Sequence, residues 1–158
     1  KDITIIIIMN VLLNFKENKL LKNNVYFSNA IKNTVLDENS LFIKILYSDE
    51  NIILNGVYFY IDIQFNDINV YNNKKIYTYS LEKNKNIINN VIDIERYILN
   101  KFDPNIKHIY SLRELFSKGF LKVYSDNVNN KSIYIKISGI WKKGDSGEIG
   151  LTYKIHDV

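Results

Sequence analysis

The sequence contains no cysteine and only two histidines, His108 and His156. The lack of thiols excludes disulfide bonds and thiolate metal sites, and two imidazoles are too few for a histidine-based metal cluster. A chain without cysteine is typical of a reducing compartment. We therefore expect an intracellular protein that holds no metal.

Long hydrophobic runs are also missing. The apolar segment 3–9 is far too short for a membrane span, which needs about 20 residues. No charged segment or small-residue cleavage site frames it as a secretion signal. The sequence therefore predicts no membrane association.

The common catalytic and phosphate-binding motifs are absent as well: there is no GxGxxG, no P-loop and no HExxH. Residues 144–147, Gly-Asp-Ser-Gly, match the nucleophile motif of chymotrypsin-like proteases. The chain is too short for the double barrel of that fold, and no histidine lies in a matching upstream context. We interpret these residues as a tight hairpin loop in which glycine adopts positive φ. We expect neither an enzyme nor a bound cofactor.

The abundant residues are isoleucine, asparagine and lysine, as in segments 5–8, 72–75 and 129–131. All three have A/T-rich codons, which indicates an A/T-rich genome such as that of a large DNA virus, an apicomplexan, a symbiont or a linear plasmid. The chain has 21 basic and 17 acidic residues and a net charge of +4. This charge permits an anionic partner but does not require one.

Hydrophobic periodicity separates strands from helices in this sequence. In residues 57–65 every second side chain is apolar, which is typical of a half-buried strand. In residues 87–102 the apolar side chains recur at intervals of three and four, which is typical of an amphipathic helix. Asn55-Gly56 is a strong hairpin signal. The strands that we predict are residues 3–13, 41–47, 57–65, 75–81, 120–124, 132–140 and 149–155, and the helices are residues 87–102 and 110–117.

The order of these elements is several strands, one main helix and three more strands. This order favours a mostly β fold over a parallel α/β sheet. It matches the OB fold, a five-stranded Greek-key barrel with a helix between its third and fourth strands. We predict a single domain over residues 1–158, in which residues 1–40 either join the barrel or form an N-terminal extension.

Tyrosine and lysine alternate with the predicted core positions of the strands. A sheet face of this kind suits single-stranded nucleic acid, because bases stack on the rings and lysines follow the phosphates. Tyrosine is also a favoured strand residue, and Trp141 can equally cap the barrel end. The candidate nucleic-acid-binding residues are Tyr58, Tyr60, Lys122, Tyr124, Tyr134, Lys136, Trp141, Lys142, Lys143 and Lys154.

Three segments carry a family resemblance. IYSLRELFSKGFLKV at 109–123, IKISGIW at 135–141 and IGLTYK at 149–154 together resemble a small protein family of large nucleocytoplasmic DNA viruses. That family is similar to the phage-type single-stranded DNA-binding proteins with an OB fold. The resemblance is specific over residues 87–155 and rests on strand order alone over residues 1–86.

The resemblance implies a protein that coats single-stranded DNA during viral replication or recombination, in the host cytoplasm, the viral factory or the nucleus. It also implies contacts with other replication proteins and a homo-oligomer. Phage-type members use an acidic tail for partner contacts, and residues 155–158 carry no acidic run. The alternative is a virion structural or interaction subunit, in which the tyrosine faces are protein interfaces.

Overall fold

The computed structural model describes residues 23–33, 35, 38–50, 53–124, 133–144 and 146–157. The predicted strand at residues 3–13 lies outside this part of the chain. Within it the fold is mostly β, with ten strands and two helices, which confirms the predicted class. The elements are β1 (Val25–Lys32), β2 (Leu41–Ser48), β3 (Ile53–Leu54), β4 (Val57–Ile61), β5 (Phe65–Tyr71), β6 (Lys74–Tyr79), α1 (Lys85–Phe102), β7 (His108–Ile109), α2 (Ser111–Phe116), β8 (Phe120–Tyr124), β9 (Ile133–Lys142) and β10 (Ile149–Asp157).

Strand β9 is the centre of the larger sheet, whose order is β1-β2-β9-β10-β7. One edge of β9 carries two partners in succession: β2 pairs with residues 139–142, and β4 pairs with residues 133–137. The other edge pairs with β10 along almost its whole length. A single ten-residue strand therefore holds three others in place.

The smaller sheet has the order β5-β6-β8, and all its pairings are antiparallel. A buried ion pair joins it to the larger sheet: Lys75 Nζ of β6 lies 2.5 Å from Asp157 Oδ2 of β10. The Tyr77 hydroxyl donates to the same oxygen at 3.3 Å. The strand pairings among the described residues do not close the two sheets into a barrel.

The core lies between the inner faces of the two sheets and helix α1. In β4 the buried side chains alternate with half-buried ones, as the period-two pattern predicts. Helix α1 buries one stripe, including Ile88, Val91 and Ile98, against this core. It ends at Phe102 because Asp103 precedes proline and adopts an extended conformation. No helix in the described residues is long and apolar enough to cross a membrane.

The predicted hairpin at Asn55-Gly56 is wrong. Strand β3 before it pairs with β2, and β4 after it pairs with β9, so the two strands do not pair with each other. Gly56 has φ +147°, and a Cβ there would lie 2.6 Å from the Ile137 carbonyl oxygen. Glycine is needed because the backbone turns tightly against β9 as it passes from one strand partner to the next.

The predicted strand 57–65 is also divided in the structure. It stops at Ile61, and β5 starts at Phe65 in the other sheet. The alternation nevertheless continues, because Ile63 in the connection is buried. The period-two pattern therefore predicted which side chains are buried, but it did not predict that the chain passes from the larger sheet to the smaller one.

Candidate functional site

Three aromatic side chains form a row across β4, β9 and β10. Tyr60 lies opposite Tyr134, and Tyr134 lies opposite His156. Directly opposed residues of an antiparallel pair point to the same side of the sheet. The rings of Tyr134 and His156 stack with centroids 4.8 Å apart and planes inclined by 14°. The row therefore places three aromatic side chains, two of them stacked on each other, on one side of the sheet.

A second row, rich in positive charge, lies directly beside the aromatic row. Tyr58 is opposite Lys136, and Lys136 is opposite Lys154. Lys136 Nζ lies 5.2 Å from the centroid of the Tyr58 ring, within the range of a cation–π contact. The Tyr58 hydroxyl donates to Asn55 Oδ1 at 2.8 Å, which fixes the ring under the ammonium group. Two cations on adjacent strands thus border the stacked rings.

The electrostatics of His156 reflect these neighbours. Burial lowers the pKa of His156, and the cations of Lys154 and Lys136 lower it further, while Asp157 acts in the opposite direction. The imidazole is therefore neutral near pH 7 and gains a charge only below its ordinary range near pH 6.5. Burial also raises the pKa of the Tyr134 hydroxyl, which stays protonated.

Two further aromatic rings lie at the other end of β9 on the same side of the sheet. Trp141 is opposite both Phe42 of β2 and Gly150 of β10. A Cβ at Gly150 would collide with the indole, so the indole lies over that glycine. The ring of Phe42 covers Gly139 in the same way.

A β-bulge puts Trp141 on this side. Ile137 pairs with Tyr153 and Gly139 pairs with Thr152, so Ser138 is the extra residue in β9. Before the bulge the even positions face outward, and after it the odd positions do. Without the bulge, strict alternation would point Trp141 into the core.

These side chains define one surface, the β9 face. The β10 partners of Tyr134 and Trp141 are His156 and Gly150, which are six residues apart, so the two ends of the face are about 20 Å apart at about 3.3 Å per residue. Exposed Lys44 of β2 lies between the two ends, opposite Gly139. The β9 face consists of Tyr58, Tyr60, Tyr134, Lys136, Lys154 and His156 at one end and Phe42, Lys44 and Trp141 at the other.

Six of the ten candidate residues lie on this face and four do not. Lys122 and Tyr124 belong to β8 in the smaller sheet, where both are exposed. Lys142 follows Trp141 in the strand, so its side chain points to the opposite side, in register with Leu41 and Ile149. Lys143 is exposed in the hairpin loop, where its backbone N–H donates to the Glu148 carbonyl.

Sequence reasoning missed Phe42, Lys44 and His156. Lys44 and His156 could have been found, because each occupies an outward position of an alternating strand. Phe42 carried no such signal, since its role depends on pairing with Trp141 almost a hundred residues later. The prediction from sequence selected tyrosine, tryptophan and lysine as residues that bind nucleic acid, and it did not include histidine.

The site offers stacking surfaces and positive charge. Among the described residues, no group of three or more histidine, aspartate or glutamate side chains could hold a metal ion. Comparison with protein-family models, curated proteins and solved structures finds no match to this chain.

Proposed function

We propose that this protein binds single-stranded DNA on the β9 face. The observation that carries the proposal is the pair of adjacent rows, one of stacked aromatic rings and one with two lysines, across β4, β9 and β10. Each base stacked on an aromatic side chain contributes about 1–3 kcal/mol in proteins of this kind. Every base has a flat π-face, so this mode of binding tolerates any sequence.

The charges of the face complement a phosphate backbone. Lys44, Lys136 and Lys154 are spread along it, and Lys154 and Lys44 are exposed. These lysines contact the phosphates of the single-stranded DNA as it crosses the sheet, while the aromatic rings stack on the bases. Binding of this kind needs no catalytic group, and we propose a coating protein without enzymatic activity.

We propose further that the fold is an open variant of the OB barrel. The support is the position of α1, which follows the β5-β6 pair and precedes the β9-β10 hairpin. OB folds are themselves partly open and bind oligonucleotides on their strands. With the resemblance of segments 109–123, 135–141 and 149–154, this supports a role in replication or recombination of a large DNA virus, alongside other replication proteins.

The test is a titration of fluorescent poly-dT, monitored by anisotropy, at 50 mM and 200 mM salt. Three phosphate contacts on a single strand give a log–log slope of about −2, so we expect binding to weaken about twentyfold across this range. Lys83→Gln, which removes an exposed lysine outside the β9 face, serves as the control for net charge. No binding at the lower salt concentration, or an affinity independent of salt, would overturn the proposal.

A second candidate function is a structural or interaction subunit. It is favoured by the apolar end of the β9 face, where Ile31, Phe42 and Trp141 line an open pocket of about 390 Å³. Ile31 is 61% exposed. Size-exclusion chromatography with light scattering distinguishes the two functions: an oligomer that is unchanged by oligonucleotide supports the subunit, and a shift on adding DNA supports the binding protein.

A further inference from the structure

A second cluster of tyrosine and lysine lies at the seam between the two sheets. It surrounds a shallow pocket of about 270 Å³, which we call the seam pocket. Residues from β10, β8 and α2 contribute to it. The residues that line it are Leu115, Lys122, Tyr124, Tyr153, Lys154 and Ile155.

Lys154 belongs to both surfaces. Its register with Lys136 places it in the charged row of the β9 face. Its neighbours in the chain, Tyr153 and Ile155, point the other way and line the seam pocket together with it. Lys154 therefore borders both the β9 face and the seam pocket.

Strand β8 supplies the far wall of the pocket. Leu121 and Val123 are buried, so Lys122 and Tyr124 share the outward side of the strand. Tyr124 is 71% exposed. It lies opposite Lys74, which lies opposite Tyr71, so the smaller sheet has its own row of two tyrosines around a lysine.

The chemistry of the seam pocket suits an anionic ligand that also carries a flat ring, as a nucleotide does. Two lysines stand at its rim, and none of the six described residues that line it is acidic. The exposed ring of Tyr124 offers a face to a base, and the two ammonium groups suit the phosphates on either side of it. This is the combination of ring and cation that the β9 face also has.

We infer that the seam pocket is a second subsite for the same single strand, reached only by oligonucleotides longer than those that fill the β9 face. The strand turns around β10 at Lys154 and places one further base on Tyr124, with Lys122 beside its phosphate. This inference rests on the proposed function and adds the path of the strand.

The test compares two lengths of oligo-dT, about 5 and about 15 nucleotides, which fall at the two ends of the site sizes known for one OB fold. For the double variant Lys122→Gln/Tyr124→Ala we expect about tenfold weaker binding of the long oligonucleotide, from one lost stack and one lost phosphate contact. Binding of the short one is expected to stay the same. Restoring the ring as Lys122→Gln/Tyr124→Phe should recover the part due to stacking.

Failure of the seam pocket as a subsite and failure of single-stranded DNA binding give different results in this experiment. If the unmodified protein binds neither oligonucleotide, the proposed function fails. If it binds both, and the double variant loses affinity for both alike or for neither, the inference alone is overturned. Tyr134→Ala/Lys136→Gln should weaken both lengths, and thermal melting of each variant confirms that it is folded.

Discussion

At the scale of single residues, His156 is the titratable group of the β9 face. It stacks on Tyr134 and stands beside Lys154 and Lys136, with Asp157 as the one described acidic neighbour that favours its protonation. Its pKa is lowered in the free protein. A DNA phosphate brought next to it would raise that pKa, so binding and protonation are coupled.

We therefore expect DNA affinity to rise a few-fold as the pH falls from 7.5 to 5.5, because a protonated His156 adds one phosphate contact. The lowered pKa of His156 also makes the stability of the fold depend on pH. The folded state has its full stability above about pH 6.5, and part of that stability is lost as the pH falls through the folded-state pKa. Anisotropy titrations at several pH values, with melting curves alongside, measure both effects. His156→Gln should flatten the binding profile, and a profile identical to that of the unmodified protein would contradict this role.

At the scale of elements, Glu95 of α1 caps the first turn of α2. Its carboxylate, on the inner side of α1, accepts hydrogen bonds from the backbone N–H groups of Leu112 and Arg113, both at 2.9 Å. These are among the unpaired N–H groups at the start of α2. Glu95 is fully buried, and burial raises its pKa while these hydrogen bonds lower it. The docking of α2 on α1 therefore depends on a polar contact inside the core.

Glu95→Leu should lower the free energy of unfolding by about 2 kcal/mol, because it leaves the buried N–H of Leu112 and the partly buried N–H of Arg113 without an acceptor. Glu95→Gln keeps one oxygen acceptor and should lower it by less. Urea denaturation followed by circular dichroism measures both values. An equal loss in the two variants would show that shape, and not hydrogen bonding, holds α2.

The sequence predicted the elements whose signals are local. The spacing of apolar residues in α1 and the alternation in β4 depend on neighbours a few positions away, and both were confirmed. The bulge at Ser138 and the pairing of β4 with β9 depend on contacts between distant segments. No local pattern reports them, and they decide which candidate residues share the β9 face.

At the scale of the whole molecule, the pair Lys75–Asp157 joins the two sheets. The side chains of both residues are almost completely buried, at 1% and 5% exposure. Asp157 also accepts from Tyr77, whose pKa is raised to about 12, first by burial and then by this carboxylate. The contact ties the end of β10 to the start of β6.

Asp157→Asn should lower the free energy of unfolding by about 3 kcal/mol, because the buried ammonium of Lys75 loses its opposite charge. The double variant Lys75→Met/Asp157→Leu removes both charges and should recover most of the loss, as buried pairs are often replaceable by apolar side chains. Denaturation curves for the single and double variants form the test. A double variant as unstable as Asp157→Asn would mean that packing, and not charge, is the origin of the effect.

The central position of β9 also bears on how the chain is made. Strands β2 and β4 lie within residues 41–61, yet the strand that they both pair with begins at Ile133. A ribosome adds about 5–20 residues per second, so these early strands emerge about 5–20 s before their common partner exists. During synthesis the edges of β2 and β4 that will pair with β9 need shelter from other chains, and the larger sheet can form only after β9 has been synthesised.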